Sequence, residues 1–307
     1  MKRRAKIGLV VGVIAAVALA GGVAWVIAQR QGPSAAEVAE SYFRALEQGE
    51  TGRALTFTNA DAETRASAEA AASGIQTAVS DTAVKVIEGT DEYVVVEVTY
   101  MIGSQDARSE LALRRGGEAG WLIDNAFGEL SATSTLGDAV AVGDLVFPTS
   151  DDETISLPPG LYTVSGAPRD LVEGEAAVPV IIGVPAHAEV EASLSAEGTA
   201  LIESQLDDYA RACAQPATTV PANCGLRVPW AADLATLAAI NFRIDQLPVL
   251  TMADDLSSFA ATDGIIVATA TGTTRDGASA SFTYRADDWT LRGVIEFTDG
   301  RMALRVT

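Results

Sequence analysis

Histidine is almost missing from this chain: His187 is the only one among 307 residues. A lone imidazole between Ala186 and Ala188 reads as a structural or solvated side chain, and no Ser/His/Asp set can be built around it. Cysteine is nearly as scarce. Cys213 and Cys224 are the only two, and their spacing matches neither a redox Cys-x-x-Cys nor a zinc site. The phosphate-cradling Gly-x-x-x-x-Gly-Lys-Ser/Thr and the nucleophile-elbow Gly-x-Ser-x-Gly are absent, which removes support for nucleotide hydrolysis and for elbow-type hydrolysis. Positive charge is also thin. The chain has 21 basic and 41 acidic residues, a formal charge of -20. Lys2, Arg3, Arg4, Lys6 and Arg30 supply five of the basic residues, and no acidic residue precedes Glu37. The remainder carries a formal charge of -25. Such a surface repels nucleic-acid phosphates, so no nucleic-acid partner is expected.

The N-terminus is the opposite of the rest. Residues 1–6 form a basic tail, and residues 7–28 hold no charge. At 1.5 Å per residue that run spans about 33 Å, enough for a bilayer core of about 30 Å. The positive-inside rule then puts the tail in the cytoplasm and the bulk outside. A single-pass anchor in the cell membrane is therefore expected. A cleaved signal peptide, ending at Ala20 or Ala28, is the alternative. Either reading exports the remainder, where two nearby cysteines usually pair. A Cys213–Cys224 bridge would stabilise by about 2–3 kcal/mol in the chain-entropy model.

Residues 29–33 read as a linker, broken by Gly32-Pro33. Ser34 and Glu37 form a capping box that opens a helix with the apolar stripe Val38, Tyr42, Ala45 and Leu46. Further helices are expected near Gly52–Phe57 and Asp61–Gly74. Val94, Val96, Val98, Tyr100 and Ile102 then alternate as a strand, Leu111 and Leu113 as the next, and Trp121 and Ile123 as another. Short strands separated by Pro, Gly and acidic turns are expected over 136–194. The helical period returns at Ile202, Leu206, Tyr209 and Cys213. Beyond the cysteines, 237–252 reads as extended and Ile265–Thr273 as a strand. Arg275-Asp276-Gly277 reads as a hairpin turn, followed by separate strands around Phe282–Tyr284 and Trp289–Phe297.

The opening helix from Ser34 to Glu50 and the closing strand Gly120-Trp121-Leu122-Ile123-Asp124 resemble the NTF2-like (cystatin-like cone) superfamily, as found in bacterial envelope proteins. The resemblance covers about residues 33–135 and implies a cone with a pocket or a dimerisation face. Residues 264–297 repeat the order of 93–124, with Trp289 placed like Trp121. The expected fold class is α+β: an N-terminal transmembrane helix, then two NTF2-like units (34–135 and 195–307) flanking a small β module (136–194).

For chemistry, Asp124 is the one catalytic candidate. In NTF2-like enzymes a carboxylate lining the cone serves as general base; the plainer reading is a strand-end cap. The acid pairs Asp207-Asp208, Asp254-Asp255 and Asp287-Asp288 have no EF-hand spacing and read as solvated surface. No cofactor or metal is expected. Trp230, after Pro229 in a loop, is the aromatic expected to be exposed and is a candidate interface residue. The expected function is a membrane-anchored, extracytoplasmic binding or scaffold protein of the bacterial envelope, with an unknown envelope protein or ligand as partner. An NTF2-like enzyme using Asp124 and a secretion or conjugation subunit are the alternatives.

Overall fold

A computed structural model of the protein describes residues 32–116, 120–149, 153–253, 256–298 and 301–307. The apolar run at 7–28, its basic tail and Asp254-Asp255 lie outside the described residues. The expected fold class needs correction. Strands hold 52% and helices 20% of the structure, and among the described residues no helix is long and apolar enough to cross a membrane. The structure is mostly β-sheet, not an α+β chain opened by a transmembrane helix: from Ile75 onward α-helix returns only at Ala196–Cys213 among the described residues. The described chain divides into two compact units. One takes residues up to Leu130 with Ile155–Tyr162 and Val178–Ala186; the other takes Ser131–Thr154, Thr163–Ala177 and His187–Thr307.

The first unit opens with α1 (Ala35–Glu47), α2 (Thr51–Leu55) and α3 (Ala62–Ala71). The capping box forms as the sequence implies. The Glu37 N–H donates to Ser34 Oγ at 3.3 Å, and the Ser34 N–H donates to Glu37 Oε2 at 2.7 Å, so two helix-end donors are satisfied reciprocally. These bonds hold the Glu37 carboxyl below its usual range. A short β1 (Ile75–Thr77) leads into an antiparallel meander: β2 (Val79–Gly89), β3 (Tyr93–Ile102), β4 (Gln105–Arg115) and β5 (Trp121–Ile123). The alternation of β3 sends Val94, Val96, Val98, Tyr100 and Ile102 to one face, where they pack with Val38, Tyr42 and Phe43 of α1. β6 (Gly128–Ser134) begins in this unit. It passes so close to Ile181 that a Cβ at Gly128 would stand 2.6 Å from the Ile181 carbonyl oxygen, which reserves the position for glycine.

The middle strands are short, as their turn-rich sequence implies. They are β7 (Ala139–Val142), β8 (Leu145–Pro148), β9 (Ile155–Leu157), β10 (Gly160–Gly166), β11 (Val172–Glu173), β12 (Glu175–Val180), β13 (Ala186–Val190) and β14 (Ser193–Leu194). In the second unit β7 pairs with β8 through the register Val140↔Phe147, and β11 with β14 through Val172↔Leu194. Then α4 (Ala196–Cys213), N-capped by Ser195, leads to a sheet of β15 (Thr236–Gln246), β16 (Val249–Met252), β17 (Ser258–Thr273), β18 (Ser279–Thr298) and β19 (Arg301–Val306). The sheet order is β15-β17-β18-β19, with β16 continuing along β17 beyond β15. The Asp-Gly hairpin is present, with Gly277 at φ 86°.

The separate strands expected around Phe282 and Trp289 are one strand of 20 residues. Asp287 and Asp288 look like a turn, but β17 runs opposite them. A bulge at Asp263 and Gly264 keeps the ladder continuous, from Ile266↔Ala286 to Gly264↔Trp289. Trp121 therefore lies on the fourth strand of its meander, and Trp289 on the third of its own, so the two do not occupy equivalent places.

Candidate functional site

The interior of the first unit is closed by its own side chains. Tyr42 is fully buried and donates its hydroxyl to the Ala126 carbonyl at 2.6 Å. Its ring meets Phe43 edge-on, and Phe43 meets Tyr100 with centroids 5.0 Å apart. Tyr100, Ser109 and Ile182 close a small hydrogen-bonded ring. The Ile182 N–H donates to the Tyr100 oxygen, Tyr100 lies 3.1 Å from Ser109 Oγ, and Ser109 donates to the Ile182 carbonyl at 3.0 Å. Burial pushes the Tyr42, Tyr100 and Tyr162 phenols up.

Asp124 stands at the exit of β5. Its carboxylate takes the Nε–H of Arg114 on the neighbouring strand, and Asn59 Nδ2 lies 3.5 Å away. The Asp124 side chain is 23% exposed and that of Arg114 68%, so the pair is a surface clamp between β4 and β5. His187 lies exposed on β13, with Nδ1 2.9 Å from Ser131 Oγ and Nε2 3.3 Å from Thr133 Oγ1. Both ring nitrogens face hydroxyls. Asp207 and Asp208 pair with Arg211, and Asp287 pairs with Arg285. Among the described residues no group of three or more His, Cys, Asp or Glu side chains is placed to hold a metal ion.

The second unit has room. Cys213, the last residue of α4, is bonded to Cys224, with 5.6 Å between Cα atoms. Around this bridge Tyr209 donates to the Asn223 carbonyl at 3.0 Å, and Trp289 Nε1–H donates to the Cys224 carbonyl at 2.7 Å. Gly225 adopts φ 62° and lies so near β18 that a Cβ there would stand 2.1 Å from the Thr290 carbonyl oxygen. Helix, disulfide and sheet thus pin the chain at 223–225. The next residues leave an apolar groove of about 640 Å³ between themselves and the sheet. Leu226, Val228 and Pro229 form one wall. The other is the sheet, where the register puts Phe242, Ala268 and Tyr284 in one row and Ile266 and Ala286 in the next. Arg227 and Arg285 also line it. This size lies in the range of small-molecule sites.

Tyr284 donates to Asp233 Oδ2 at 2.7 Å; partial burial, then the Asp233 carboxylate, push its phenol up to about 12. Arg285 bridges Asp245 and Asp287, and Arg243 also reaches Asp245. The hydrogen bonds from Arg243 and Arg285 hold the Asp245 carboxyl below its usual range. Trp230, expected to stand out from its loop, is half-buried against Leu234, Ile240, Ala268 and Ala270. The Arg275 guanidinium fixes its turn by donating to the Ala231 and Ala232 carbonyls at 3.1 and 3.0 Å.

A second, more polar pocket of about 650 Å³ shares Gly225, Leu226, Arg227 and Ala286 with the groove. Asp288, Arg292 and Thr307 line it further along. The groove is hidden from the sequence because its walls come from segments about 40 and 60 residues apart. The one local signal is Leu226-Arg227-Val228, apolar residues flanking a charge directly after the disulfide. Comparison with known proteins finds no match: no family model, no curated protein and no solved structure corresponds to this chain.

Proposed function

We propose that this is an extracytoplasmic binding protein of the cell envelope and that the groove beside the Cys213–Cys224 bridge is its ligand site. The observation that carries the reading is an apolar groove of about 640 Å³ held open by a disulfide, a tightly seated glycine and two side-chain-to-carbonyl bonds. A pre-formed apolar site binds without first reorganising. The cystine supports an oxidising compartment, and the acidic surface supports solubility there. The bond of Asp124 to exposed Arg114 favours a strand clamp over a general base.

The test is titration of the full chain with Nile red, a neutral apolar dye whose emission shifts to the blue in a dry site. Saturable one-site binding is expected. Ala286→Phe, which adds a ring at the groove wall, is expected to weaken it at least about tenfold, the effect of losing some 1.4 kcal/mol. Circular dichroism on the same sample checks that the variant is folded. Saturable binding that a folded Ala286→Phe leaves unchanged would place the dye elsewhere and overturn the reading.

A further inference from the structure

We infer that the groove and the polar pocket form one site for an anionic amphiphile, the apolar chain lying in the groove and a monoanionic carboxylate head seated between Arg227 and Arg292. This rests on the groove reading above. The two cavities share Gly225, Leu226, Arg227 and Ala286, so a single ligand reaches from one into the other.

The arginines supply the chemistry. Among the described residues of this unit, Arg169, Arg211, Arg243, Arg285 and Arg305 are ion-paired, and Arg275 is taken up by two backbone carbonyls. Arg227, Arg292 and Arg301 enter no ion pair with a described residue. Two of those three line the same pocket. With 41 acidic residues against 21 basic, carboxylates are not in short supply, so two arginines without one in a single pocket reflect placement. The guanidinium fork matches a carboxylate, and the bond is charge-assisted. Asp288 lines the same pocket. Its negative charge offsets part of the two positive charges, which favours a single negative charge on the ligand over a phosphate dianion. The net charge of -20 does not oppose this locally. Exposed charges beyond about 8–10 Å are screened at physiological salt, whereas contacts to the two guanidiniums are not.

Isothermal titration of the full chain with decanoate, decanol and decyltrimethylammonium tests the inference. Decanoate is expected to bind at least about tenfold more tightly than decanol, with the cation weakest, as a charge-assisted bond implies. Arg292→Gln, outside the groove lining, shrinks that preference while decanol affinity holds; Arg227→Gln shrinks it too, and Arg227→Lys retains part of it. Both arginines are exposed, so the variants keep the fold. Equal binding of decanoate and decanol would overturn the anion subsite and leave the groove standing. Failure of all three to bind would overturn the groove reading itself.

Discussion

Tyr42 shows how much one buried hydroxyl weighs. Its oxygen sits 2.6 Å from the Ala126 carbonyl in a site without solvent access. Tyr42→Phe keeps the ring and its packing but leaves that carbonyl without its partner, a desolvation cost of about 1–3 kcal/mol. Asp124→Asn removes an ion pair whose arginine is mostly in water, where such pairs contribute about 0–1 kcal/mol. Urea denaturation of the two variants should therefore show the neutral tyrosine as the more costly loss. The reverse order would mean that Asp124 holds β4 and β5 together more strongly than a surface pair does. The stripe Val38, Tyr42 and Leu46 was legible in the sequence because helical spacing alone places Tyr42 inward. Its acceptor, 84 residues away, was not, since period says which face a side chain takes but not what it meets.

The cystine acts on the segment that forms one wall of the groove. Cys213 and Cys224 close a loop with a sequence separation of 11. Constraining the unfolded chain over such a loop contributes about 3 kcal/mol in the chain-entropy model. Cys213→Ser with Cys224→Ser should lower stability by about that amount and weaken Nile red binding as well, because the wall at 226–229 starts from the bridge. Loss of stability with binding unchanged would show that the Gly225 seat and the Trp289 bond hold the wall unaided. Elements with local chemistry were readable in advance: the Ser34–Glu37 box, the Asp276-Gly277 turn, the helix ending at Cys213 and the disulfide itself. β18 was not readable as one strand, because Asp287-Asp288 carries the composition of a turn and only pairing with the bulged β17 keeps it extended. Trp230 departs from its expected exposure for a related reason. A Pro-Trp pair in a loop looks exposed until β15 and β17 bring Ile240 and Ala268 beneath it.

At the scale of the whole molecule, alternation marks strands but not the sheet that claims them. That is why the short strands between 131 and 194 could be read individually while their division between two compact units could not. Groups in both units shape the response to pH. On the acid side the lowered groups are exposed carboxylates: Glu37 and Asp61, held down by backbone N–H bonds at helix starts, Asp245, held down by two arginines, and Asp276, held down by the Thr274 hydroxyl. Their contribution is present above the ordinary carboxylate value and is lost as pH falls below about 4, gradually because each is solvated. On the alkaline side the raised groups are phenols: Tyr42 and Tyr162, the most deeply buried, with Tyr100 in the first unit, and Tyr284 beside Asp233 in the second. A value raised in the folded state leaves stability intact below the unfolded value of 10.0 and removes it as pH rises above that point. Each phenol that ionises only on unfolding subtracts about 1.4 kcal/mol per pH unit, so Tyr42 and Tyr162 alone give a slope of about 3 kcal/mol per unit, to which Tyr100 and Tyr284 add. Urea midpoints measured from pH 8 to 12 should thus be flat to about 10 and then fall steeply, and Tyr162→Phe should lower the slope by about 1.4 kcal/mol per unit. A phenolate absorbance at 295 nm that saturates near pH 10 in the folded protein would show that these hydroxyls reach water, and the steep limb would then have another origin.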